Sequence, residues 1–413
     1  MVTACPVFAR LLVSCLLVFG CVIAQSETTR QRAGVDPYTN GDEAELKKAG
    51  YVSYGPFEFG TNHTTTTIEE LLGAEPLIWI ETAHFKIGCA LPELKLRGAG
   101  ASGKEWVKRT KAELDELREV MPKIKKRVKT LDPWLRAHLI ALRLEKLYAE
   151  VQANLGRDDA WFEGSHDPSD AETFTGKGPY MGMRGKFTVL LLQKASSHAR
   201  YTRAHQGREM EAPTRFCDFG TGSMYWGASE ETAEGLFKND MALQSHLAFN
   251  VAHNLYSGYR SFAHGLPAWV GTGLAHYHSR LVSPRYPTFD QDHGDDKRTR
   301  SAFWEWDKIC VGLAKYGAFK PLSEFAMLES AGKYDIENHM QAWCTMEFLL
   351  TQHPKETARF LHLLKDPFHE HRAVPTQDEL NARQQKALQD AFGQDVDAVE
   401  AAWKEHLTGK RGR

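Results

Sequence analysis

The sequence predicts an α+β fold in which the strands precede a long helical part. Three stretches have the β-branched and aromatic composition of strands: 77–88 (LIWIETAHFKIG), 186–193 (KFTVLLLQ) and 215–227 (RFCDFGTGSMYWG). The last of these is centred on glycines and predicts a hairpin. From about residue 231 onward the chain reads mostly as helix. We therefore expect an N-terminal mixed sheet with helices and a helical C-terminal part.

The first 24 residues have the composition of a signal peptide. Arg10 is the only charge before Glu27, and it precedes a 14-residue stretch without charge at 11–24. Such a stretch is too short to span a bilayer comfortably and suits the apolar region of a signal peptide. Cys21 offers a second interpretation, a lipid-modified cysteine, but Phe19 fits that pattern badly. The sequence therefore predicts an exported protein, whether periplasmic, in the cell envelope or extracellular.

Composition limits the partners of the rest of the chain. The 413 residues are 42% hydrophobic and 25% charged, which is the balance of a globular protein. The net charge of −2 gives no overall field that favours nucleic acid. The mixed charges of 104–129 predict a solvated helix face rather than a binding patch. No stretch after residue 24 reaches 18 apolar residues, so we expect no transmembrane segment in the mature chain.

Composition also divides the chain after the signal peptide into three parts. Residues 25–75 are polar and rich in Gly and Thr, which predicts an extension draped over the body. Residues 76–230 hold the predicted strands and form an α+β lobe, with a helical stretch at 104–155 broken near Asp132-Pro133. Residues 231–413 form a helical lobe that contains the candidate site.

Four cysteines lie outside the signal peptide: Cys89, Cys217, Cys310 and Cys344. An even number in an exported chain permits disulfides, with three full pairings that the sequence does not distinguish. Buried thiols are the alternative.

Residues 249–253 (FNVAH) look like an interrupted zinc-peptidase motif. In H-E-x-x-H the two histidines lie one helical turn apart and bind one zinc ion, while the glutamate polarises the attacking water. A third ligand, often a glutamate on a following helix, completes the site. Here His253 matches the second histidine, and Thr272 follows it by nineteen residues within 268–278 (AWVGTGLAHYH).

Across residues 77–406 the chain resembles the peptidase-MA-like, or gluzincin, family of exported zinc peptidases. The parts occur in the family's order: an ETxHF strand at 81–85, a long helix, a strand, a glycine-centred hairpin and the motif helix. An LPxW turn follows at 266–269, and an FG…E…W…L helix closes the chain at 392–407. The resemblance implies a thermolysin-like architecture of two lobes with a groove between them.

The resemblance also assigns each position of the zinc site. His253 falls on the second histidine, Phe249 on the first, Asn250 on the catalytic glutamate and Thr272 on the third ligand. His276 stands where relatives often carry an acidic residue that supports the first histidine. A benzyl group cannot coordinate zinc, a carboxamide is no proton acceptor, and a hydroxyl is a poor ligand. The resemblance therefore implies a pseudopeptidase with no catalytic residue, no metal and no cofactor.

Two functions stay open, besides a purely structural component of the cell envelope that binds no ligand. The first is a catalytically silent protein whose interlobe groove, with His253, His276, Trp269 and Tyr277, binds a peptide or another protein. The alternative is an active zinc metallopeptidase or hydrolase with ligands rearranged around His253 and His276, in which zinc would be the cofactor. We favour the first because metal sites normally show tight ligand spacing, which these histidines lack. Neither hypothesis involves nucleic acid.

Overall fold

The computed structural model describes residues 34–410, apart from 74, 99, 264, 290–303 and 368–375. The predicted signal peptide and Cys21 lie outside these residues. Within them the chain is a mixture of helices and strands with a mixed sheet, which confirms the α+β prediction. Among the helices of this part of the chain, none is both long enough and apolar enough to cross a membrane.

The described strands all end before residue 230. They are β1 (Tyr51–Ser53), β2 (Glu58–Gly60), β3 (His63–Thr64), β4 (Ile78–Thr82), β5 (Phe85–Cys89), β6 (Leu94–Lys95), β7 (Thr130–Leu131), β8 (Phe187–Leu192), β9 (Thr214–Asp218) and β10 (Ser223–Ser229). Six of them form one sheet in the order β1–β4–β5–β8–β10–β9. The β5–β8 and β8–β10 pairs are parallel and the other neighbours are antiparallel. β2 pairs with β3, and β6 pairs with β7.

Helices are interspersed with the strands and then fill the described C-terminal part. They are α1 (Glu43–Lys48), α2 (Thr65–Leu72), α3 (Gly100–Val120), α4 (Pro133–Leu155), α5 (Asp159–Phe162), α6 (Ala195–Gln206), α7 (Thr232–Gly235), α8 (Asp240–Gly258), α9 (Ala268–Val282), α10 (Trp306–Lys315), α11 (Leu322–Phe325), α12 (Ile336–Gln352), α13 (Pro354–Leu364), α14 (Gln377–Phe392) and α15 (Val396–Lys410). The predicted helical stretch at 104–155 corresponds to α3 and α4, and its break lies at β7 and the N-cap residue Asp132.

Both faces of the large sheet are covered by helices. β8 (FTVLLL) is buried at every position. Phe187, Val189 and Leu191 share a core with α4 and α8, whereas Leu190 and Leu192 share a second core with α2 and α6. A strand that is buried on both faces has a continuous apolar sequence instead of an alternating one. The helix with the FNVAH motif, α8, thus packs directly on the sheet.

The stretch 77–88 differs from its prediction as a single strand. It forms two antiparallel strands, β4 and β5, that reverse around His84. The hydroxyl of Thr82 closes this reversal by accepting a hydrogen bond from the amide of Phe85 at 3.0 Å. The ring of His84 stacks on Tyr148 of α4, with ring centroids 3.7 Å apart. His84 therefore joins the β4–β5 turn to α4.

Residues 34–72, which fall in the predicted polar extension, contribute to the body of the protein. β1 adds an edge strand to the large sheet by pairing with β4. α2 buries Ile68 and Leu72 completely. The side chain of Asp36 is also buried, and its Oδ1 atom lies 3.3 Å from Nε2 of His138 on α4. The sheet, the core and a buried carboxylate–imidazole contact thus hold this segment in place, so it is not a draped extension.

Candidate functional site

The candidate site lies where α8 contacts α9. Phe249 and His253 are one helical turn apart on α8, and Phe249 is completely buried. Its ring meets the ring of His276, on α9, edge-on with centroids 4.9 Å apart. The position aligned with the first zinc ligand therefore touches the position aligned with the residue that supports that ligand.

The carboxamide of Asn250, aligned with the catalytic glutamate, is hydrogen-bonded at both ends. Its Nδ2 atom donates to the carbonyl oxygen of His246, one turn earlier on α8, at 2.8 Å. Its Oδ1 atom accepts a hydrogen bond from Nη1 of Arg215, on β9, at 2.9 Å. The guanidinium group of Arg215 also lies 6.0 Å from the ring centroid of Phe249. A cation from the sheet therefore adjoins both of these motif positions.

Arg215 is a site residue that the sequence reasoning missed. In the β9–β10 ladder it pairs with Trp226, whose side chain belongs to the core on the α8 side of the sheet. Paired residues of an antiparallel ladder point to the same face, so Arg215 also points toward α8. The hairpin predicted at 215–227 contains the signal for this pairing. It gives no indication that α8 packs beneath that strand.

His253, the histidine that the motif retains, is half-buried between α8 and α9. Its Nδ1 atom lies within hydrogen-bonding distance of the Ser257 hydroxyl, at 3.2 Å. Its Nε2 atom lies 3.7 Å from the position that a Cβ on Gly271 would occupy. The ring thus reaches the surface of α9 immediately beside Thr272, which is buried. Three of the aligned motif positions thus lie on α8, and the fourth, Thr272, lies on α9, which packs against α8.

His276 belongs to a second arrangement, a pair of buried histidines. Its Nε2 atom lies 3.0 Å from Nδ1 of His339 on α12. Aromatic rings surround the pair: the ring of Trp306 lies 4.9 Å from that of His276, and the ring of Phe289 lies 4.9 Å from that of His339. A hydrogen bond between imidazoles requires one N–H and one lone pair. Nε2 of His276 is therefore used in the bond to His339. Sequence reasoning missed His339 because only the packing of α12 on α9 brings it near.

Two of the four predicted groove residues lie in the core. Trp269 is completely buried, packs against Phe360 and donates its indole N–H to Oε1 of Gln384 at 3.0 Å. His276 is completely buried as well. A ligand in a groove cannot touch either side chain, so we correct their assignment. His253 and Tyr277 are partly exposed and keep the predicted role as an expectation.

β9 forms the end of the large sheet beside the site, and its hairpin tip is held rigidly. The carboxylate of Asp218 accepts hydrogen bonds from the amides of Thr61, at 2.7 Å, and Gly220, at 3.0 Å. Arg184 donates to the carbonyl oxygens of Phe219 and Gly220 at 2.9 and 3.0 Å. Phe219 is nonetheless 75% exposed. The strand therefore ends in an exposed aromatic side chain on a fixed backbone.

A second exposed aromatic side chain meets Phe219 at this tip. Phe262, which follows α8, is 38% exposed, and the two rings lie edge-to-face with centroids 6.0 Å apart. The two rings together form a small exposed apolar surface at the hairpin tip. We call these two residues the aromatic pair.

The described residues contain no group of three or more His, Cys, Asp and Glu side chains positioned to hold a metal ion. Cys89 and Cys310 are buried free thiols, and Cys217, on β9, is a half-buried one. Burial, together with the charge of Asp218, raises the pKa of the Cys217 thiol to about 11. It is therefore protonated at neutral pH and is a poor nucleophile.

Comparisons with known proteins identify no relative of this chain. No family model, no curated protein and no solved structure matches the chain. The resemblance to gluzincins depends on the order of the motifs in the sequence.

Proposed function

We propose that this chain is an exported, catalytically silent protein of the gluzincin type, with a two-lobed thermolysin-like architecture. One observation carries the proposal: the carboxamide of Asn250 is fixed between the backbone of His246 and the guanidinium of Arg215. A general base needs a carboxylate or an imidazole with a suitable pKa, and a carboxamide offers neither. The buried ring of Phe249 supports the same conclusion, because it takes the place of a ligand without being able to coordinate.

We propose further that the protein binds an extended polypeptide along β9. In the described sheet this strand pairs with β10 alone, and an edge strand presents backbone N–H and C=O groups to a second chain. The aromatic pair lies at one end of the strand and Arg215 near the other. Phe219, of the aromatic pair, follows Arg215 by four residues along the chain. The preferred ligand is a peptide with an apolar side chain that contacts the aromatic pair.

The experiment selects peptides from a random 12-residue library with the full chain and then measures amide hydrogen exchange with a selected peptide bound. We expect exchange to slow at least tenfold in residues 214–218. β1 is the opposite edge of the same sheet and is the internal control, because its amides should exchange unchanged. Replacement of the aromatic pair by alanine should weaken peptide binding at least tenfold.

Three results would contradict the proposal. The first is a library that yields no peptide with a dissociation constant below 100 μM. The second is protection of β1, or of no strand at all, by the selected peptides. The third is cleavage of library peptides by the zinc-supplemented protein, abolished by a chelator and restored by zinc. That last result would support the active hydrolase instead.

A further inference from the structure

A cavity of about 70 Å³ lies where α3, α4, α8 and α9 meet. Leucine and valine side chains form part of its wall, and charged side chains form another part: Arg109, Glu113, Arg143, Lys146 and Glu150. The side chains of Arg109, Lys146 and Glu150 are 36%, 45% and 55% exposed, so the cavity opens to solvent beside them. Groups of both charges thus border one small space.

The charges in the interior of the cavity are already paired. Nη2 of Arg143 lies 2.8 Å from Oε2 of Glu113, and Nη1 of Arg143 lies 3.0 Å from Oδ2 of Asp240. All three side chains are buried. Ion pairs in the interior stay intact because separating them leaves an uncompensated buried charge. A ligand therefore interacts chiefly with the charges at the mouth.

The mouth of the cavity presents both signs of charge on half-exposed side chains. Lys146 and Glu150 lie one turn apart on α4, and Arg109 lines the same mouth from α3. Lys146 pairs with Glu116, and Nε of Arg109 lies 3.6 Å from Oε1 of Glu113. Such half-exposed pairs contribute little energy. They leave Nη2 of Arg109 and Oε1 of Glu150 able to bind a ligand.

A buried carboxamide also lines the cavity. Gln244, on α8, is 3% exposed. Its carboxamide forms no hydrogen bond with any residue that the structure describes, and its Oε1 atom is fully buried. Buried amides are nearly always hydrogen-bonded, because an unbonded one retains the full cost of losing water. A carboxamide contains both donors and an acceptor, so it suits a ligand that also has both.

The position of the proton on His278 fixes the carboxylate of Glu150. The hydroxyl of Tyr256 accepts a hydrogen bond from Nδ2 of Asn154 at 3.0 Å and lies 3.1 Å from Nε2 of His278. Since the hydroxyl proton is directed at Nε2, the neutral ring carries its own proton on Nδ1. Nδ1 lies 3.4 Å from Oε2 of Glu150. This contact holds the pKa of Glu150 below its ordinary value, in opposition to burial, so the carboxylate is charged at neutral pH.

We propose that this cavity binds a small zwitterion, an α-amino acid with a short aliphatic side chain. Its carboxylate contacts Arg109 and Lys146, its ammonium group contacts Glu150, and Gln244 hydrogen-bonds to its polar groups. The volume of about 70 Å³ corresponds to about two molecules of liquid water, so the side chain is short. A simple anion or cation would leave one sign of charge at the mouth unmatched. This inference is independent of the proposed peptide binding at β9.

Isothermal titration calorimetry of the full chain compares three probes of similar size. They are L-alanine, propionate, which lacks the ammonium group, and ethylamine, which lacks the carboxylate. We expect L-alanine to bind with a dissociation constant of about 1 mM or below, which is possible for a ligand of that size. Propionate and ethylamine each lose a charge-assisted hydrogen bond and should bind more weakly by a factor on the order of ten.

Two single variants at the mouth should have crossed effects. Lys146→Gln should weaken the binding of L-alanine and propionate roughly threefold without weakening ethylamine, and Glu150→Gln should weaken L-alanine and ethylamine roughly threefold without weakening propionate. Both side chains are about half exposed, so both variants should fold. Equal effects on all three probes would contradict the assignment of the two charges.

Gln244→Met separates binding from stability. Because Gln244 has no hydrogen bond to lose, the urea midpoint should stay the same or rise, whereas L-alanine should bind more weakly by a factor on the order of ten. The matched control is Gln385→Met, which replaces an exposed glutamine of α14 and should bind L-alanine like the wild type. Should Gln244→Met not fold, the crossed variants at the mouth decide.

Three results would overturn the proposal. The first is a dissociation constant for L-alanine above about 10 mM, weaker than a specific site of this kind gives. The second is binding of propionate or ethylamine as tight as that of L-alanine, which would indicate a site for a simple ion. The third is a folded Gln244→Met variant that binds L-alanine like the wild type, because the ligand would then lie elsewhere.

Discussion

Asn250 connects α8 to the sheet through a single side chain. A glutamate at this position would meet the guanidinium of Arg215 and form an ion pair, whereas the carboxamide accepts one hydrogen bond from it without carrying charge. Phe249 adds an aromatic face 6.0 Å from the same guanidinium, a distance at which a cation is attracted to a ring. A cationic side chain, a carboxamide and an aromatic ring thus stabilise one another at the contact between α8 and β9.

This arrangement predicts that zinc binding returns only when Arg215 is also replaced. The triple variant Phe249→His/Asn250→Glu/Thr272→Glu supplies the missing donors beside His253. The guanidinium would still bind the new carboxylate at position 250 and repel a divalent cation. We expect the quadruple variant with Arg215→Met to bind zinc at least tenfold more tightly than the triple variant. Competition with a fluorescent zinc chelator measures both affinities.

A further His253→Ala change in the quadruple variant is the control, and it should abolish the gained affinity. If the triple and quadruple variants bind zinc equally well, Arg215 does not influence the site. If neither binds zinc although both fold, the alignment with the zinc motif is incorrect.

At the scale of elements, the sequence predicts those features that interactions between neighbouring residues in the chain determine. α4 begins where the sequence indicates a break, because Asp132 is its N-cap and Pro133 occupies the first helical turn. β8 is recognisable because it is apolar at every position except Thr188. The reversal at His84 is stabilised by contacts with α4, so the sequence alone predicts a continuous strand there. Arg215 and His339 lie 35 and 63 residues from their partners Asn250 and His276, so only the packed fold relates them.

The N-terminus of α4 gives a direct test of that local chemistry. The carboxylate of Asp132 accepts a hydrogen bond from the amide of Leu135 at 2.9 Å and another from the hydroxyl of Tyr38. Asp132→Ala removes both and should lower the free energy of unfolding by about 1–2 kcal/mol. Asp132→Asn keeps a capping oxygen and should cost well under half as much. Urea denaturation followed by tryptophan fluorescence measures both variants, and equal losses would show that the cap contributes nothing specific.

At the scale of the whole molecule, charge is segregated instead of evenly mixed. Exposed cations are concentrated on the loop 123–129 and at Lys95 and Arg97, whereas buried acids pair with cations in the interior. Arg143, for example, is bound by Glu113 at 2.8 Å and Asp240 at 3.0 Å. Amino-acid composition gives only the net charge, −2, and not where the charges lie. The charge of 104–129 was therefore interpreted as a solvated helix face, although its last residues form a loop with charge of one sign. Sequence position alone does not show which charges lose their partners on folding.

The pH dependence of stability tests how one partly buried charge connects three elements. His84 in the β4–β5 turn lies 2.6 Å from Glu145 of α4 and 3.1 Å from Asp159 of α5. Burial lowers the pKa of His84, but the hydrogen bond and charge of Glu145, helped by Asp159, raise it above its ordinary value. A raised pKa means that the folded state binds the proton more tightly than the unfolded state. The stabilisation is fully present below about pH 6.5 and is lost as the pH rises through the folded-state pKa.

We therefore expect His84→Gln to destabilise the protein most at pH 5.5 and least at pH 9, measured as urea midpoints across that range. His63 provides a control of opposite sign, because burial lowers its pKa and its protonation opposes folding. The stability of His63→Gln relative to the wild type should therefore be higher at pH 5.5 than at pH 9. A His84→Gln deficit that stays constant with pH would mean that the imidazole acts through its stacking on Tyr148. The ion pairs with α4 and α5 would then contribute nothing measurable to the stability of the fold.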